Sequence, residues 1–377
     1  MIDDGVLDEE DDSSSDLVSK PWNPKDIRIT TKTFSIREVY TQIKEGELDL
    51  APDFQRAFVW KNLQQIKLVE SILLGIPLPA FYFNQDDEGN FQVIDGVQRL
   101  STIKHFMSDE LELTAGGVEY LKSLDGLYFS TLDAATRRRF GATQIVAHVI
   151  EPLTPDEVKY DIFSRVNTGG SQLTAQEIRH CMSKERSREF LRRLVELESF
   201  DEATDNAFWA KDSNGDWYRD NRRMADREMA LRFCAFYSES IANYALSSSL
   251  NSFLLEFTRR IDEGSKSNKV LNLKRLEKVF DRAMRNCAEI LGELAFRRYA
   301  YDRRGPINRA IFESQALALA DYDLSELIGH EEKIKREFLK LFSDFNYDSA
   351  VRAGTGDYRK VDIRLSMPKK VLKDILG

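Results

Sequence analysis

At 377 residues, 42% hydrophobic and 31% charged, the chain has the composition of a globular protein with room for one large domain or two ordinary ones. No apolar stretch is long enough to cross a membrane, and no basic segment followed by an apolar core marks a signal peptide, so a cytoplasmic location is expected. The net charge of −9 is concentrated at one end: residues 1–16 hold Asp3, Asp4, Asp8, Glu9, Glu10, Asp11, Asp12 and Asp16, and without these eight acids the balance is 54 basic to 55 acidic residues.

Residues 1–26 therefore read as an acidic, disordered leader. A solubilising tail is the plain role, and covering a basic groove is the sharper one. Ordered structure is expected from a short strand at Ile27–Thr30. Ser35 with Glu38 forms a capping-box pattern, with Phe34 at the staple position. Ile36, Val39, Tyr40 and Ile43 give the helical face that follows, and Gly46 ends it. Leu50–Trp60 is polar and aromatic. Gln55 and Arg56 lie between Phe54 and Phe58-Val59-Trp60. A guanidinium so flanked either clamps a phosphate or carboxylate or packs on Trp60 as a cation–π contact. Asn62–Leu74 reads as an amphipathic helix capped by Asn62 and Gln65, burying Leu63, Ile66, Val69, Ile72 and Leu73 and stopping at Gly75 and Pro77.

Phe81–Phe83 and Phe91–Ile94 read as a β-hairpin around the charged loop Asp86–Asn90. Its second strand runs into Asp95-Gly96 and then a helix-period segment with Leu100, Ile103 and Phe106 on one face. Strand, tight turn and helix start together carry Asp95, Gln98, Arg99, Ser101 and Thr102. Gly96 lets the chain bend or a ligand approach the backbone. The first helical turn has free N–H groups and the positive end of the dipole, so the junction is a candidate phosphate cradle. The plainer reading is turn and capping chemistry, with Arg99 paired to Asp95.

Ser130 with Asp133 is expected to start a short helix that ends in Arg137-Arg138-Arg139, cations suited to a helix C-terminus or to a nucleic-acid backbone. Thr143–Val149 reads as a strand in which His148 is structural. Thr154-Pro155-Asp156-Glu157 starts a helix that runs to about Val166, and Thr174 with Glu177 starts the next. The loop between them holds Asn167, Thr168, Gly169 and Gly170, more polar groups than a glycine C-cap needs, with Arg165 just before it. After residue 180 the pattern is helical throughout, with core stripes at helical spacing through Phe233, Phe257, Phe280 and Phe338 and a fourth stripe closing on Phe345. Arg297-Arg298 and Arg303-Arg304 flank Tyr299 and Tyr301, an arrangement that reads either as a solvated helix end or as a track for a nucleic-acid backbone. The last stretch, 351–377, is basic. Cys181, Cys234 and Cys287 are far apart and read as reduced, packed thiols. There is no zinc motif, Walker sequence or dinucleotide-binding glycine triplet.

Asp95-Gly96-Val97-Gln98-Arg99-Leu100-Ser101-Thr102 resembles the Asp-Gly-Gln-Gln-Arg-Leu-Thr-Thr signature of the GmrSD N-terminal domain family, which is related to the ParB/sulfiredoxin group. Pro52–Trp60 resembles its upstream Gln-Arg-x-x-x-Trp segment, Leu68–Pro79 its following helix, and Phe163–Gly170 its Arg-x-Asn-x-Gly block. Order and spacing agree across roughly residues 30–350. The chain departs at Val97, where the family usually has Gln, and at Ser101, which keeps a hydroxyl.

The resemblance implies an α+β fold: a ParB/sulfiredoxin-like α/β nucleotide-binding domain over 27–175, then an all-helical domain over 176–348 and a basic segment over 349–377. It implies NTP and Mg²⁺ as ligands. Asp95, Gln98 and Arg99 are the expected catalytic residues, with Asp95 on the metal. Gln55, Arg56, Gly96, Ser101, Thr102, Arg165, Asn167, Thr168, Gly169 and Gly170 are the expected nucleotide contacts. The implied activity is NTP binding and Mg²⁺-dependent hydrolysis in a DNA-surveillance or phage-defence system of restriction type. The expected partners are DNA and a separately encoded nuclease, because the HNH domain of many members is not visible here. Two alternatives stay open: a non-catalytic DNA- or partner-binding module that uses the motif as a ligand switch, and a ParB-like metal-dependent nuclease.

Overall fold

The computed structural model describes residues 23–50, 60–114, 116–166, 173–212, 214–220, 222–300 and 303–377. The leader up to residue 22, Gln55 and Arg56, and the loop 167–172 lie outside the described residues. Two compact units are present, Trp22–Met182 and Ser183–Gly377.

The N-terminal unit runs β1 (Ile29–Ser35), α1 (Ile36–Glu45), β2 (Leu48–Asp49), α2 (Asn62–Leu74), β3 (Phe81–Gln85), β4 (Phe91–Asp95), α3 (Val97–Met107), α4 (Ala134–Ala142), β5 (Gln144–Ile150), α5 (Asp156–Val166) and α6 (Ala175–Met182). Its strands form one mixed sheet in the order β1-β5-β3-β4-β2. β1 and β5 are antiparallel, β5 and β3 parallel, β3 and β4 antiparallel, and β4 and β2 parallel. Strand alternation sends Phe81, Phe83, Val93, Ala147 and Val149 to one face, where they pack with Ile36, Val69, Leu100, Phe106 and Phe140 from α1 to α4. The other face carries Ile94 and Ile150, which pack against Phe163 of α5 and Ile178 and Cys181 of α6. That packing makes α6 part of this unit, so the division falls after it, at Met182.

Several local signals hold in detail. Ser35 Oγ accepts from Glu38 N and the Glu38 carboxylate accepts from Ser35 N, the reciprocal box read from the sequence. Gly46 and Gly75 close α1 and α2 in the left-handed conformation. Others shift by a residue. In α2 it is Gln64, not Gln65, that reaches back to the capping residue, Lys61 N, at 3.0 Å. Gln65 instead donates to Trp60 O at 3.0 Å. Leu63, in the first turn of α2, is 48% exposed rather than buried. Asp133 itself caps α4, accepting from Ala135 N and Thr136 N. Thr154 gives its hydroxyl to Arg28 O at 3.1 Å, a long-range tie that local capping rules do not foresee. Glu70 on α2 accepts from the N–H groups of Glu119, Tyr120 and Leu121 at 3.1, 2.7 and 2.8 Å and pins the loop that precedes α4.

The C-terminal unit is mostly helical: α7 (Glu185–Val195), α8 (Glu198–Thr204), then β6 (Trp209–Lys211) and β7 (Trp217–Arg219), α9 (Ala225–Ser238), α10 (Ile241–Tyr244), α11 (Leu250–Glu263), α12 (Leu273–Leu291), β8 (Arg297–Ala300) and β9 (Arg303–Ile307), α13 (Arg309–Leu319), α14 (Leu324–Leu327), α15 (Glu331–Leu341), α16 (Phe345–Arg352) and α17 (Tyr358–Leu376). The two small hairpins correct the all-helical expectation; each turns a chain reversal between helices into a few ladder bonds. The core stripes are as read, with Phe233, Phe257, Phe280 and Phe338 all buried. Phe345 is the exception, at 84% exposed, because it is the first residue of α16 rather than the end of the preceding stripe. Cys234 and Cys287 are buried free thiols, and burial pushes both far above the ordinary thiol range. A buried charge cluster joins three helices: Glu313 of α13 accepts from Arg232 of α9 at 3.1 Å and from Arg364 Nε of α17 at 2.8 Å. Arg232 also pairs with Glu228 at 2.8 Å.

Candidate functional site

Hairpin pairing places the last residue of β4, Asp95, opposite Tyr82 of β3, next to a register irregularity. The chain then turns at Gly96, whose φ of 100° lies in the left-handed region, and enters α3. Glycine is required twice over at this turn. A Cβ there would lie 2.3 Å from Phe81 Cδ1 and 3.2 Å from Arg99 Nη2, and the backbone conformation itself is costly for other residues. As N-cap, Gly96 has no side chain to offer, so no side-chain cap bond covers the start of α3.

Arg99, one turn into α3, returns over this junction. Its Nη2 donates to Asp95 Oδ2 at 2.9 Å and to Ala80 O at 3.3 Å, its Nη1 donates to Pro79 O, and its guanidinium lies 4.2 Å from the Phe81 ring centroid. Burial draws the guanidinium down from its ordinary value, and the Asp95 carboxylate beside it opposes that shift. Arg99 is thus a latch that ties the entry of β3 to the exit of β4. Its side chain is 13% exposed, whereas that of Asp95 is 37% exposed, so the acid is the more open partner.

The other expected site residues divide into groups. Gln98 Oε1 accepts from Trp60 N at 3.4 Å, and Gln65 holds Trp60 O from the other side. Trp60, where the described chain resumes, is therefore fastened to the first turn of α3. Thr102 is fully buried, and its hydroxyl donates to Gln98 O at 2.8 Å within α3; Ser101 is also buried. Arg165, near the end of α5, pairs with Asp161 at 3.0 Å and is 75% exposed. Its helix packs through Phe163 against Ile94, the residue before Asp95. Gln55, Arg56, Asn167, Thr168, Gly169 and Gly170 lie outside the described residues. Among the described residues no group of three or more His, Cys, Asp or Glu is placed to hold a metal, and no helix is long and apolar enough to cross a membrane.

Residues 36–184, the sheet and its covering helices, match the family described as the N-terminal domain of the GmrSD restriction endonuclease. This segment is similar to the GmrSD N-terminal domain. Among solved structures, a Pnob8-like ParB-N domain matches at 12% identity and a TM-score of 0.22, with 93% of this chain and 99% of that chain covered. No curated protein matches. The Asp95–Thr102 junction lies well inside the matched segment. The parts of its surroundings that sequence reasoning missed are the carbonyls of Pro79 and Ala80 and the ring of Phe81. Their signal was the alternation Phe81-Tyr82-Phe83, which fixes which ring faces the helix.

In the C-terminal unit the arginines near residue 300 sit on a hairpin, not a helix end. Arg298 pairs with Asp348, Arg304 with Asp205 at 2.5 Å, and Arg297 donates to Gly305 O at 3.1 Å. Three of the expected backbone-tracking cations thus have acceptors within their own unit.

Proposed function

We propose that this chain is the nucleotide-responsive component of a restriction-type defence system and that the start of α3 holds nucleotide phosphates. The observation that carries this reading is the junction itself: a strand ends in a partly exposed acid, a glycine leaves the helix start without a side-chain cap, and a half-buried arginine adds positive charge beside it. Uncapped N–H groups and the helix dipole together favour an anion. The match to a restriction endonuclease domain supports the defence context.

The residues fit a nucleotide with Mg²⁺. Asp95 would hold the ion, which needs only one or two carboxylates beside water and phosphate oxygens. Bound there, Mg²⁺ would supply the charge neutralisation that phosphoryl transfer requires. Arg99 positions Asp95 and contributes field. Its latch contacts and the internal bond of Thr102 favour a second reading in which nucleotide is bound as a switch without turnover. Val97, where the family signature has a polar residue, points the same way. DNA is the proposed target, with cleavage left to a nuclease partner. The test is phosphate release from each NTP with Mg²⁺, with and without DNA, beside Asp95→Ala. Release that disappears in the variant supports hydrolysis. Thermal stabilisation by nucleotide without release supports the switch, and neither response sinks both readings.

A further inference from the structure

The sheet of the N-terminal unit ends on one side in the two-residue strand β2 and on the other in β1, which is seven residues long. β1 pairs with β5 in an unbroken antiparallel register, from Ile29 with Ile150 to Ser35 with Gln144. The bonds just beyond its ends fix which residues face β5: Glu151 N donates to Arg28 O, and Ile36 N donates to Thr143 O. Hydrogen-bonded pairs alternate along an antiparallel ladder. The backbone groups of Thr30, Lys32 and Phe34 therefore face β5, and those of Ile29, Thr31 and Thr33 point away from the sheet. Among the described residues these outward N–H and C=O groups have no partner, and Ile29–Thr33 is exposed throughout. Proteins guard such edges with short strands, prolines, bulges or outward charges. β2 is short, whereas β1 has neither proline nor bulge. Its single charge reaches back to its own unit, with Lys32 Nζ 5.2 Å from the Phe91 ring centroid. The run Ile-Thr-Thr-Lys-Thr is rich in β-branched residues, which suit a pleated ladder.

We propose that β1 is the seam of a homodimer, in which the β1 strands of two copies pair antiparallel about a two-fold axis at Thr31. This holds whether or not the start of α3 binds nucleotide. A two-fold contact has to be self-complementary, and the pattern of this edge selects one register. Centred on Thr31, Ile29 lies opposite Thr33 of the second copy, Thr31 opposite its own counterpart and Thr33 opposite Ile29. All three outward residues of β1 are then satisfied, each pair exchanging two hydrogen bonds. Lys32 falls opposite Thr30. Centring the axis on Lys32 instead would set two lysines directly opposite, which is destabilising. Centring it on Thr30 would set Thr33 opposite Ile27, outside the strand. The chosen register also joins Ile29 to Thr33, two β-branched side chains, beside Val146, which lies opposite Thr33 on β5 and is 41% exposed.

The test is sedimentation velocity of the full chain from low to high micromolar concentration, where wild type should show a concentration-dependent dimer. Thr33→Pro removes an outward N–H and leaves the bonds to β5 in place. It should weaken the dimer roughly ten-fold or more while the dilute protein keeps its melting temperature. The register is read separately by cross-linking. A hydrogen-bonded antiparallel pair sets its Cα atoms about 5.5 Å apart, within the reach of a disulfide. Thr31→Cys should therefore cross-link with itself under diamide, whereas Thr33→Cys, displaced along the seam from its counterpart, should not. Cys181, Cys234 and Cys287 are buried, so wild type serves as the blank. A wild type that stays monomeric at every concentration would overturn the seam. So would a dimer that Thr33→Pro leaves unchanged, or one that cross-links through Thr33→Cys in preference to Thr31→Cys.

Discussion

Replacing Arg99 separates a latch from a free ligand clamp. Arg99→Ala removes donors to Pro79 O, Ala80 O and Asp95 and the stack on Phe81. A hydrogen bond from a charged donor is worth about 1.5–3 kcal/mol where buried, and a cation–π contact adds about 0.5–2 kcal/mol. The Pro79 and Asp95 ends are partly exposed, so water recovers some of this, and a loss of about 2–4 kcal/mol is expected. For a unit of this size that corresponds to a fall in melting temperature of roughly 4–16 °C without any ligand present. Arg99→Lys should recover only part, because an ammonium cannot reproduce the fork. The assay is calorimetric or fluorescence-monitored unfolding of the ligand-free protein. If Arg99→Ala melts within a degree of wild type, the guanidinium is not a latch, and its contacts are incidental to a role toward ligand.

Gly96→Ala should cost at least about 2 kcal/mol from the positive φ and the approach to Phe81, and should reduce soluble yield; a variant as stable as wild type would show that the turn is not constrained as described. Glu313→Gln removes the carboxylate that Arg364 pairs with and leaves Arg232 with Glu228 alone, and should destabilise the C-terminal unit by about 3–5 kcal/mol, read by urea unfolding. Burial raises the Glu70 carboxyl, but the N–H groups of Leu121, Tyr120 and Glu119 outweigh it and hold the group below its ordinary value. A depressed folded-state value means that this contribution is full above about pH 4.3, the unfolded value, and is lost as pH falls through the folded one. Melting temperature against pH should therefore show a weaker acid limb in Glu70→Gln than in wild type, and identical limbs would contradict the assignment.

What the sequence revealed, and what it did not, follows from range. The hairpin into Asp95, the box at Ser35 and Glu38 and the stop at Gly46 depend on residues within a few positions, and all are present. The box at α2 was misplaced by one residue because Gln64 and Gln65 are equally able to reach back, and only the bond from Gln65 to Trp60 O decides between them. The hairpin at Trp209–Arg219 had a signal in Asn214-Gly215, a turn dipeptide, but its strands are too short for alternation to outweigh the surrounding helical periods. The position of Arg99 was legible and its employment was not. The pair with Asp95 is an i,i+4 contact, whereas the carbonyls of Pro79 and Ala80 reach it only through the packing of β3 beside β4.

The claim that the start of α3 holds phosphate is tested most directly by hydrogen–deuterium exchange with and without Mg²⁺ and nucleotide. Slowed exchange in peptides covering Asp95–Leu100, absent in Asp95→Ala and absent from α17, is the predicted result. Nucleotide that binds and protects other segments while leaving Asp95–Leu100 unchanged would contradict it.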